Sequence, residues 1–371
     1  MIPEKFVAER LRLLRLKLAE RSLDALVLIA EESRGWENLF YFSGFKGSDA
    51  VVLITQDQAV LVTDSRYAVQ AREQSSLDVR DMLPRESQFE SVQRLLNDLS
   101  AVNIAFDAAA VSAKNYLRFS SYGGRWTDFS YELAGLRRHK DDWEISCIAK
   151  ASQIAGVAYM ETLSLVKPGM TELEFAKQLE LAISRHQGEG VWHNSEMIVA
   201  SGVRGAMPHG VATDKRMEKG ESVTVDYGAI YGAYMSDITR NFSLGKPADP
   251  LLIDLHEILF KAHHEAAALL RPGIKASAVH AVAQKVIADA GYGGCFGHAL
   301  GHSLGLEIHE MPHLSLRSNE VLEVGDVVTV EPGIYLPGRG GLRLEDDYLI
   351  VADGAVRLTK ELSQDFIHVP V

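Results

Sequence analysis

Two copies of one pattern in the second part of the chain constrain its fold more than any other feature. Each copy is a long helix, a Pro-Gly stop, a second helix and then strands: residues 143–166, 167–169 and 171 onwards in the first copy, and 251–270, 271–273 and 277–290 in the second. Proline fixes φ and glycine tolerates the left-handed conformation, so Pro-Gly ends a helix well. Asp226 follows the first stop at nearly the spacing at which Glu331 follows the second. The sequence therefore predicts two halves related by a pseudo-twofold axis.

The strands after the first copy bring two acidic residues together. Residues 223–230 and 233–239 have strand patterns and are joined around Tyr231-Gly232. A two-residue turn there predicts that Asp226 lies directly opposite Asp237, with Cβ atoms about 4.5–5.5 Å apart. Like charges so placed destabilise a sheet unless something positive lies between them.

The second copy repeats this arrangement. Strand patterns at 327–331 and 342–345 flank the turn-rich loop 336–341, and a loop centred on Gly338 places Glu331 opposite Glu345. A β-bulge would shift this register. One aspartate alone would be interpreted as a solvated charge, but four carboxylates converging on a pseudo-twofold axis predict a metal site.

Histidines interleaved with glycines follow the second pair of helices. Residues 296–310 contain His298, His302 and His309, and His209 lies upstream in a turn. Spacing alone does not say which of them binds metal. Carboxylates with an imidazole favour Mn²⁺, Co²⁺ or Zn²⁺ over a thiolate zinc centre. Two such ions about 3.5–4 Å apart can hold a bridging hydroxide as nucleophile and stabilise the oxyanion that forms.

Residues 1 to about 130 alternate helix and strand patterns and contain no catalytic constellation. We predict an α/β domain, with these elements: a helix through Leu11, Leu14 and Leu18, a strand at 25–29, a hairpin of 51–55 and 59–63, helices near 65–73 and 88–99, and a strand at 103–106. The charged stretch 137–142 predicts a solvated linker. The predicted domains are therefore residues 1–135 and 136–371, the first α/β and the second α+β.

Composition excludes several classes of protein. A net charge of −12 argues against a nucleic-acid partner, which requires clustered basic residues. No apolar run approaches the roughly 20 residues that span a bilayer, and the first residues lack the pattern of a secretory signal. Cys147 and Cys295 are the only cysteines, which is typical of a reducing compartment. We predict a cytoplasmic protein with no membrane contact.

The motifs around the acidic residues resemble those of the pita-bread metallopeptidase family, which includes methionine aminopeptidase, aminopeptidase P and prolidase. The matching strings, in the family's order, are IVASG (198–202), PHG (208–210), VDYG (225–228), SDITR (236–240), GHSLGLEIHE (301–310), EPGIY (331–335) and RLED (343–346). YFSGF (41–45) and DSRY (64–67) also resemble the creatinase-like N-terminal domain. The resemblance thus spans nearly the whole chain and implies a creatinase-like domain followed by a pita-bread domain.

The resemblance implies a role for each matching residue. The five residues that match the family's metal ligands are Asp226, Asp237, His302, Glu331 and Glu345. Within this set, Asp237 and Glu345 match the bridging pair, and His302 with Glu331 matches the ligands of one ion. The resemblance therefore selects His302 as the ligand among the histidines.

The remaining matches concern catalysis and substrate. Glu331 also matches the residue that takes the proton of the attacking water. His209 and His309 match histidines that stabilise the tetrahedral intermediate and hold the substrate. His298 resembles a further substrate-pocket histidine, and Arg343 resembles an arginine beside the bridging glutamate.

Two departures from the family pattern stand out. Ser303 replaces the second glycine of the usual GHGxG. Trp192 and His193 precede the strand at 198, where smaller or Phe-containing sequences are familiar. These two residues either reshape a substrate pocket or pack, and we favour packing.

The resemblance implies hydrolysis of Xaa-Pro bonds, in dipeptides or at peptide N-termini. The substrates would be short peptides with proline at the second position, and the cofactor two divalent ions, with Mn²⁺ preferred and Co²⁺ or Zn²⁺ as alternatives. Methionine aminopeptidases resemble only the C-terminal half. Creatinase-type hydrolases and non-catalytic binding proteins of this fold would be expected to lack ligands. A metal-dependent lyase stays open, since its ligands would be the same. We also expect a homodimer whose N-terminal domain limits substrate length.

Overall fold

The computed structural model describes residues 1–32, 34–192 and 197–371, which form two compact units, Met1–Arg137 and Arg138–Val371. The chain divides between the units two residues after the boundary expected at residue 135. Among the described residues, no helix has both the length and the apolar character needed to cross a bilayer.

The first unit is a mixed six-stranded sheet with helices, in strand order β4-β3-β2-β1-β5-β6. Its helices are α1 (Glu4–Glu20), α2 (Trp36–Ser43), α3 (Ala68–Gln74), α4 (Gln88–Asp98), α5 (Ala113–Ser120) and α6 (Ser130–Arg138). Its strands are β1 (Ala25–Ala30), β2 (Ala50–Thr55), β3 (Ala59–Thr63), β4 (Asp78–Asp81), β5 (Asn103–Phe106) and β6 (Arg125–Asp128). β1 pairs antiparallel with β2 and parallel with β5, so every residue of β1 is buried.

The α/β prediction for this unit is confirmed, including the β2–β3 hairpin and the strand at β5. Five short elements, α2, β4, α5, β6 and α6, were not predicted, because short segments carry too few apolar repeats to show a period. The prediction of a solvated linker at 137–142 is wrong in part. The Lys140 side chain is fully buried because it pairs with the carboxylate of Glu310.

In its described residues, the second unit combines four α-helices with two sheets and two short ribbons, which confirms the α+β prediction. Its helices are α7 (Asp142–Leu163), α8 (Glu172–Arg185), α9 (Leu251–Ala267) and α10 (Ala276–Asp289). Its strands are β7 (Ile198–Ser201), β8 (Ser222–Tyr227), β9 (Ile230–Tyr231), β10 (Tyr234–Met235), β11 (Ile238–Leu244), β12 (Gly301–Ser303), β13 (Glu310–Leu314), β14 (Val327–Val330), β15 (Gly333–Leu336), β16 (Gly340–Arg343), β17 (Asp346–Val351), β18 (Gly354–Arg357) and β19 (Ile367–Val369).

The two halves of the repeat each have a sheet and a hydrophobic core. In the first half α7 and α8 pack on the sheet β19-β11-β8-β7, and in the second α9 and α10 pack on the sheet β13-β12-β14-β17-β18. Gly169 and Gly273 follow the first helix of each half at φ of 87° and 84°, a conformation that glycine adopts without strain. Thr171 then caps α8 by accepting the N–H of Glu174. The predicted repeat is thus present in the fold.

Candidate metal centre

The first carboxylate pair does not have the predicted register. β8 pairs with β11 so that Asp226 lies opposite Thr239, and the hairpin turns at Gly232-Ala233, whose φ values are 61° and 72°. Two consecutive positive φ angles are typical of the tight type I′ hairpin turn. The predicted Asp226–Asp237 pairing is therefore wrong by two residues. Because side chains alternate with a period of two, this shift leaves Asp226 and Asp237 on the same face, as diagonal neighbours.

The second carboxylate pair has the predicted register. Val330 lies opposite Asp346 in the β14–β17 ladder, and Gly333 lies opposite Arg343 in the β15–β16 ribbon. Both pairings continue one register, in which Glu331 and Glu345 occupy facing positions between the two ladders. The bulge that would have shifted this register does not occur there.

The Nε2 atom of His302, on β12, lies close to one carboxylate of each pair. Nε2 lies 3.6 Å from Asp237 Oδ2 and 3.5 Å from Glu331 Oε1. Its Nδ1 donates to the carbonyl of Ser303 at 3.1 Å, which leaves the Nε2 lone pair available to a cation. Potential ligand atoms of Asp237, His302 and Glu345, all three buried, lie within 4.8 Å of one another.

The carboxylates of the site lie so close together that they raise one another's pKa. Burial raises the pKa of Asp237 well above its usual value, and the neighbouring carboxylates of Glu345 and Asp226 raise it further. Burial and the charge of Glu331 likewise raise the pKa of Glu345. Burial raises the pKa of Glu331 to about 8 against the opposing effect of Arg343, and burial lowers that of His302 to about 3. These carboxylates cannot all be ionised together without cations among them.

The donor set fits divalent ions. Asp226 Oδ1 and Asp237 Oδ1 are buried and accept no hydrogen bond from the described residues. Buried carboxylate oxygens without a partner are costly unless an ion binds them. Carboxylate oxygens with one imidazole nitrogen are ligands that Mn²⁺, Co²⁺ and Zn²⁺ accept.

Arg343 contacts one carboxylate of the cluster and three further groups around it. It pairs with Asp226 Oδ2, and its Nε donates to Thr239 Oγ1 at 3.0 Å. Its Nη1 donates to the hydroxyl of Tyr335 at 2.8 Å and to the carbonyl of Pro208 at 3.1 Å. Arg343 thus spans both halves of the repeat.

The predicted histidines surround one cavity of about 570 Å³ that also contains the carboxylates. His209, His298 and His309 line it, and the rings of His302 and His309 are 4.3 Å apart. His298 donates from Nδ1 to the carbonyl of Ala299 at 2.7 Å, while Nε2 lies 3.0 Å from Tyr335 Oη. Burial lowers the pKa of His298 to about 4, so its ring is neutral at physiological pH.

The cavity region also contains residues whose role the sequence left open or did not indicate. Trp192 packs and lines the cavity at once: it is buried, and its Nε1 donates to the carbonyl of Ser236 at 2.8 Å. The prediction about His193 lies outside the described residues. Sequence reasoning missed His313, which lines the cavity, and the hydroxyls of Thr239 and Tyr335, which contact Arg343. No spacing signal marked Thr239, because its contact with Arg343 joins residues 104 positions apart.

Comparisons with known proteins agree along almost the entire chain. Residues 146–352 match Metallopeptidase family M24, and residues 10–139 match the Creatinase/Prolidase N-terminal domain. An uncharacterized peptidase of Bacillus subtilis is 38% identical over 87% of this chain and 91% of its own length. A Xaa-Pro dipeptidase of Pyrococcus furiosus is 35% identical over 95% of this chain and 98% of its own.

Solved structures show the same similarity. The X-Pro aminopeptidase of Thermotoga maritima superposes with a TM-score of 0.88 at 37% identity, covering 94% of this chain and 98% of its own. The Xaa-Pro dipeptidase of Bacillus anthracis superposes with a TM-score of 0.91 at 34% identity, covering 98% and 99%. Both units of this chain are therefore present, in the same order, in these relatives.

Proposed function

The chain belongs to metallopeptidase family M24, with a creatinase-like first domain and a pita-bread second domain, and from this membership we propose that it hydrolyses Xaa-Pro peptide bonds. The family implies divalent metal ions. The finer proposal is that two ions are bound, with Mn²⁺ preferred and Co²⁺ or Zn²⁺ as alternatives. The proposed ligands are Asp226, Asp237, His302, Glu331 and Glu345.

The convergence of these five residues in one cavity carries the proposal. They come from five separate segments of both repeat halves, and two of their buried oxygens, Asp226 Oδ1 and Asp237 Oδ1, accept no hydrogen bond from the described residues, which a bound cation would explain. A cavity of about 570 Å³ is within the range of about 300–1,000 Å³ that is typical of small-molecule sites. This volume supports short peptides as the substrates.

Divalent ions held by these residues would supply a Lewis acid, able to polarise the scissile carbonyl and to acidify water. The protein's own residues handle protons and orientation. We assign Glu331 the role of taking the proton from the attacking water, because its carboxylate lines the cavity and lies 3.5 Å from the His302 ring nitrogen, among the proposed ligands. This proton can then reach the leaving nitrogen, which in an Xaa-Pro bond is a tertiary amide without an N–H.

The histidines and Arg343 complete the proposed roles. His209 and His309 line the cavity and are assigned to the carbonyl oxygen of the substrate and to the negative charge that develops on it. His298 is neutral and faces the same space, which suits contact with the substrate rather than proton transfer. Arg343 borders the cavity, and through Asp226 and Thr239 it orients the ligands.

The oligomeric state and the cellular location of the protein are two further proposals. We propose a homodimer, which light scattering of the full chain would test by giving twice the mass of 40.8 kDa. We propose a cytoplasmic location because the chain has only two cysteines and both are free thiols.

The decisive assay compares three substrates with the same first residue: an Xaa-Pro dipeptide, the matching Xaa-Ala dipeptide and a longer Xaa-Pro peptide. The proposal predicts a higher kcat/KM for the Xaa-Pro dipeptide than for Xaa-Ala. The ratio for dipeptide and longer peptide distinguishes a dipeptidase from an aminopeptidase. Equal rates on Xaa-Ala would contradict proline specificity, and products formed without uptake of water would point to a lyase.

A further inference from the structure

A buried ion pair lies beside the proposed site but outside the ligand set. The side chain of Lys140 has no solvent exposure, and its Nζ lies 2.9 Å from Glu310 Oε2, whose side chain is 5% exposed. Lys140 Nζ also donates to Ser303 Oγ at 3.3 Å. Ser303 stands where the resemblance to the family leads us to expect glycine, and its hydroxyl is what Lys140 contacts.

The two partners of Lys140 are each adjacent in sequence to a histidine of the cavity. Ser303 follows His302, and its carbonyl accepts the N–H of His302 Nδ1. Glu310 follows His309. Ser303 and Glu310 are also cross-strand partners, at the point where the β12–β13 ladder shifts register. One ammonium group therefore contacts the residues that flank both histidines.

The other oxygen of Glu310 fixes the loop between the histidines. Glu310 Oε1 accepts the backbone N–H groups of Leu306 and Glu307 at 3.1 and 3.2 Å. The loop wraps closely around this carboxylate: a Cβ atom on Gly305 would lie 2.9–3.1 Å from the carboxylate atoms of Glu310. This close approach explains a glycine at position 305. The orientation of Glu310 thus determines the path of the chain from His302 to His309.

Burying two charges is costly, and a buried ion pair is weak evidence for added stability. Apolar side chains could fill the same volume without that cost. An apolar contact would not reproduce the geometry of this pair. In it, one cation contacts both Ser303 and Glu310, the residues that follow His302 and His309.

We propose that Lys140 is a positioning residue, which acts through Glu310 and Ser303 to hold His302 and His309 in the geometry that binds metal and substrate. The inference rests on the proposed function, because it takes His302 as a ligand. Lys140 itself is not among the residues that line the cavity.

The test uses the full-length double variant Lys140→Met/Glu310→Gln, which removes both charges and keeps an amide oxygen to accept the loop N–H groups. A single Lys140 variant would leave a buried carboxylate without its cation and would destabilise the fold for that reason alone. Lys215 makes a similar set of contacts, with Glu221 at 2.7 Å and Ser201 Oγ at 2.8 Å, and none of these three residues lines the cavity, although this pair is less buried. Lys215→Met/Glu221→Gln is therefore the control for removing an ion pair outside the site.

Equilibrium titration with Mn²⁺, thermal unfolding and steady-state kinetics are measured on each protein. We expect the Lys140/Glu310 double variant to fold, and its Mn²⁺ affinity to fall by about 10–100-fold, as for loss of a group that orients a metal ligand. Its kcat should fall as well, while the Lys215/Glu221 control keeps wild-type affinity. Wild-type Mn²⁺ affinity and kcat in the folded double variant would overturn the proposal.

A second variant covers the case in which the double variant does not fold. Ser303→Ala removes only the hydroxyl contact and leaves the ion pair, and it should weaken Mn²⁺ binding measurably. Wild-type Mn²⁺ affinity in folded Ser303→Ala would overturn the proposal. Failure of the wild type to bind Mn²⁺ or to cleave Xaa-Pro bonds would refute the proposed function instead. The two failures are therefore distinguishable.

Discussion

Thr239 Oγ1 donates a hydrogen bond to Glu345 Oε2 at 2.6 Å and accepts one from Arg343 Nε at 3.0 Å. Thr239 also lies opposite Asp226 in the β8–β11 ladder, and Arg343 pairs with Asp226. One buried hydroxyl thus connects a carboxylate of the first repeat half with one of the second.

This connection predicts that Thr239→Val weakens metal binding. Valine has nearly the same shape but cannot donate to Glu345 or accept from Arg343, so both groups lose a partner. We expect the metal Kd to rise by about tenfold, at the lower end of what such orienting groups contribute. Thr239→Ser keeps the hydroxyl and is the control. Equal Mn²⁺ titration curves for Thr239→Val and wild type would show that the hydroxyl does not orient Glu345.

A second prediction concerns proton transfer by Glu331. Glu331→Gln keeps the shape and a ligand oxygen but removes the basic carboxylate. We expect kcat to fall by roughly 10²–10⁴, the usual contribution of general acid–base catalysis. Elemental analysis of the same sample separates this effect from metal loss. A variant that retains metal and more than about a tenth of wild-type kcat would contradict the role.

The carboxylate cluster could be predicted from the sequence because its information is local and repeated. Glu331 and Glu345 face each other as predicted, since the turn-rich loop between their strands fixes a single register. The Asp226 pairing was wrong because Ala233 adopts a positive φ of 72°, which moves the turn by one residue. Alanine rarely takes that conformation, so nothing in the sequence marked the position.

The parts of the site that were not predicted depend on contacts between distant segments. Lys140 and Glu310 are 170 positions apart, and Thr239 and Glu345 are 106 apart. No period or spacing encodes such contacts. The charge run at 137–142 even favoured the opposite interpretation, because charged residues are usually solvated. The burial of Lys140 depends on Glu310, a partner that only the folded chain brings close.

A third prediction links pH to the stability of metal-free protein. Burial raises the folded-state pKa of Glu331 and of Asp347 to about 8, and that of Asp237 and Glu345 well above the ordinary value. A carboxylate whose pKa is raised on folding stabilises the folded state at low pH and loses that contribution as pH rises through the folded pKa. Buried histidines with lowered pKa, such as His302, act in the opposite direction, but only below their unfolded value of about 6.5.

Between pH 7 and 8.5, metal-free protein should therefore lose thermal stability. Metal-saturated protein should not, because cations compensate the ionised carboxylates, so the Tm difference between the two samples should widen with pH. A change of 1 kcal/mol shifts Tm by about 2–4 °C for domains of 150–250 residues, so scanning fluorimetry resolves the effect. A Tm difference that stays constant or narrows would contradict the carboxylate account.

Metal stoichiometry tests the central claim most directly. Metal-free protein is reconstituted with Mn²⁺, freed of excess ions and measured by elemental analysis and by hydrolysis of an Xaa-Pro dipeptide, beside Asp237→Asn. The account predicts about two ions per wild-type chain, as a two-metal site requires, with activity that is lost on chelation and restored by Mn²⁺. Asp237→Asn should bind fewer ions and be strongly impaired. Full hydrolytic activity in wild-type protein that contains no metal would contradict the account.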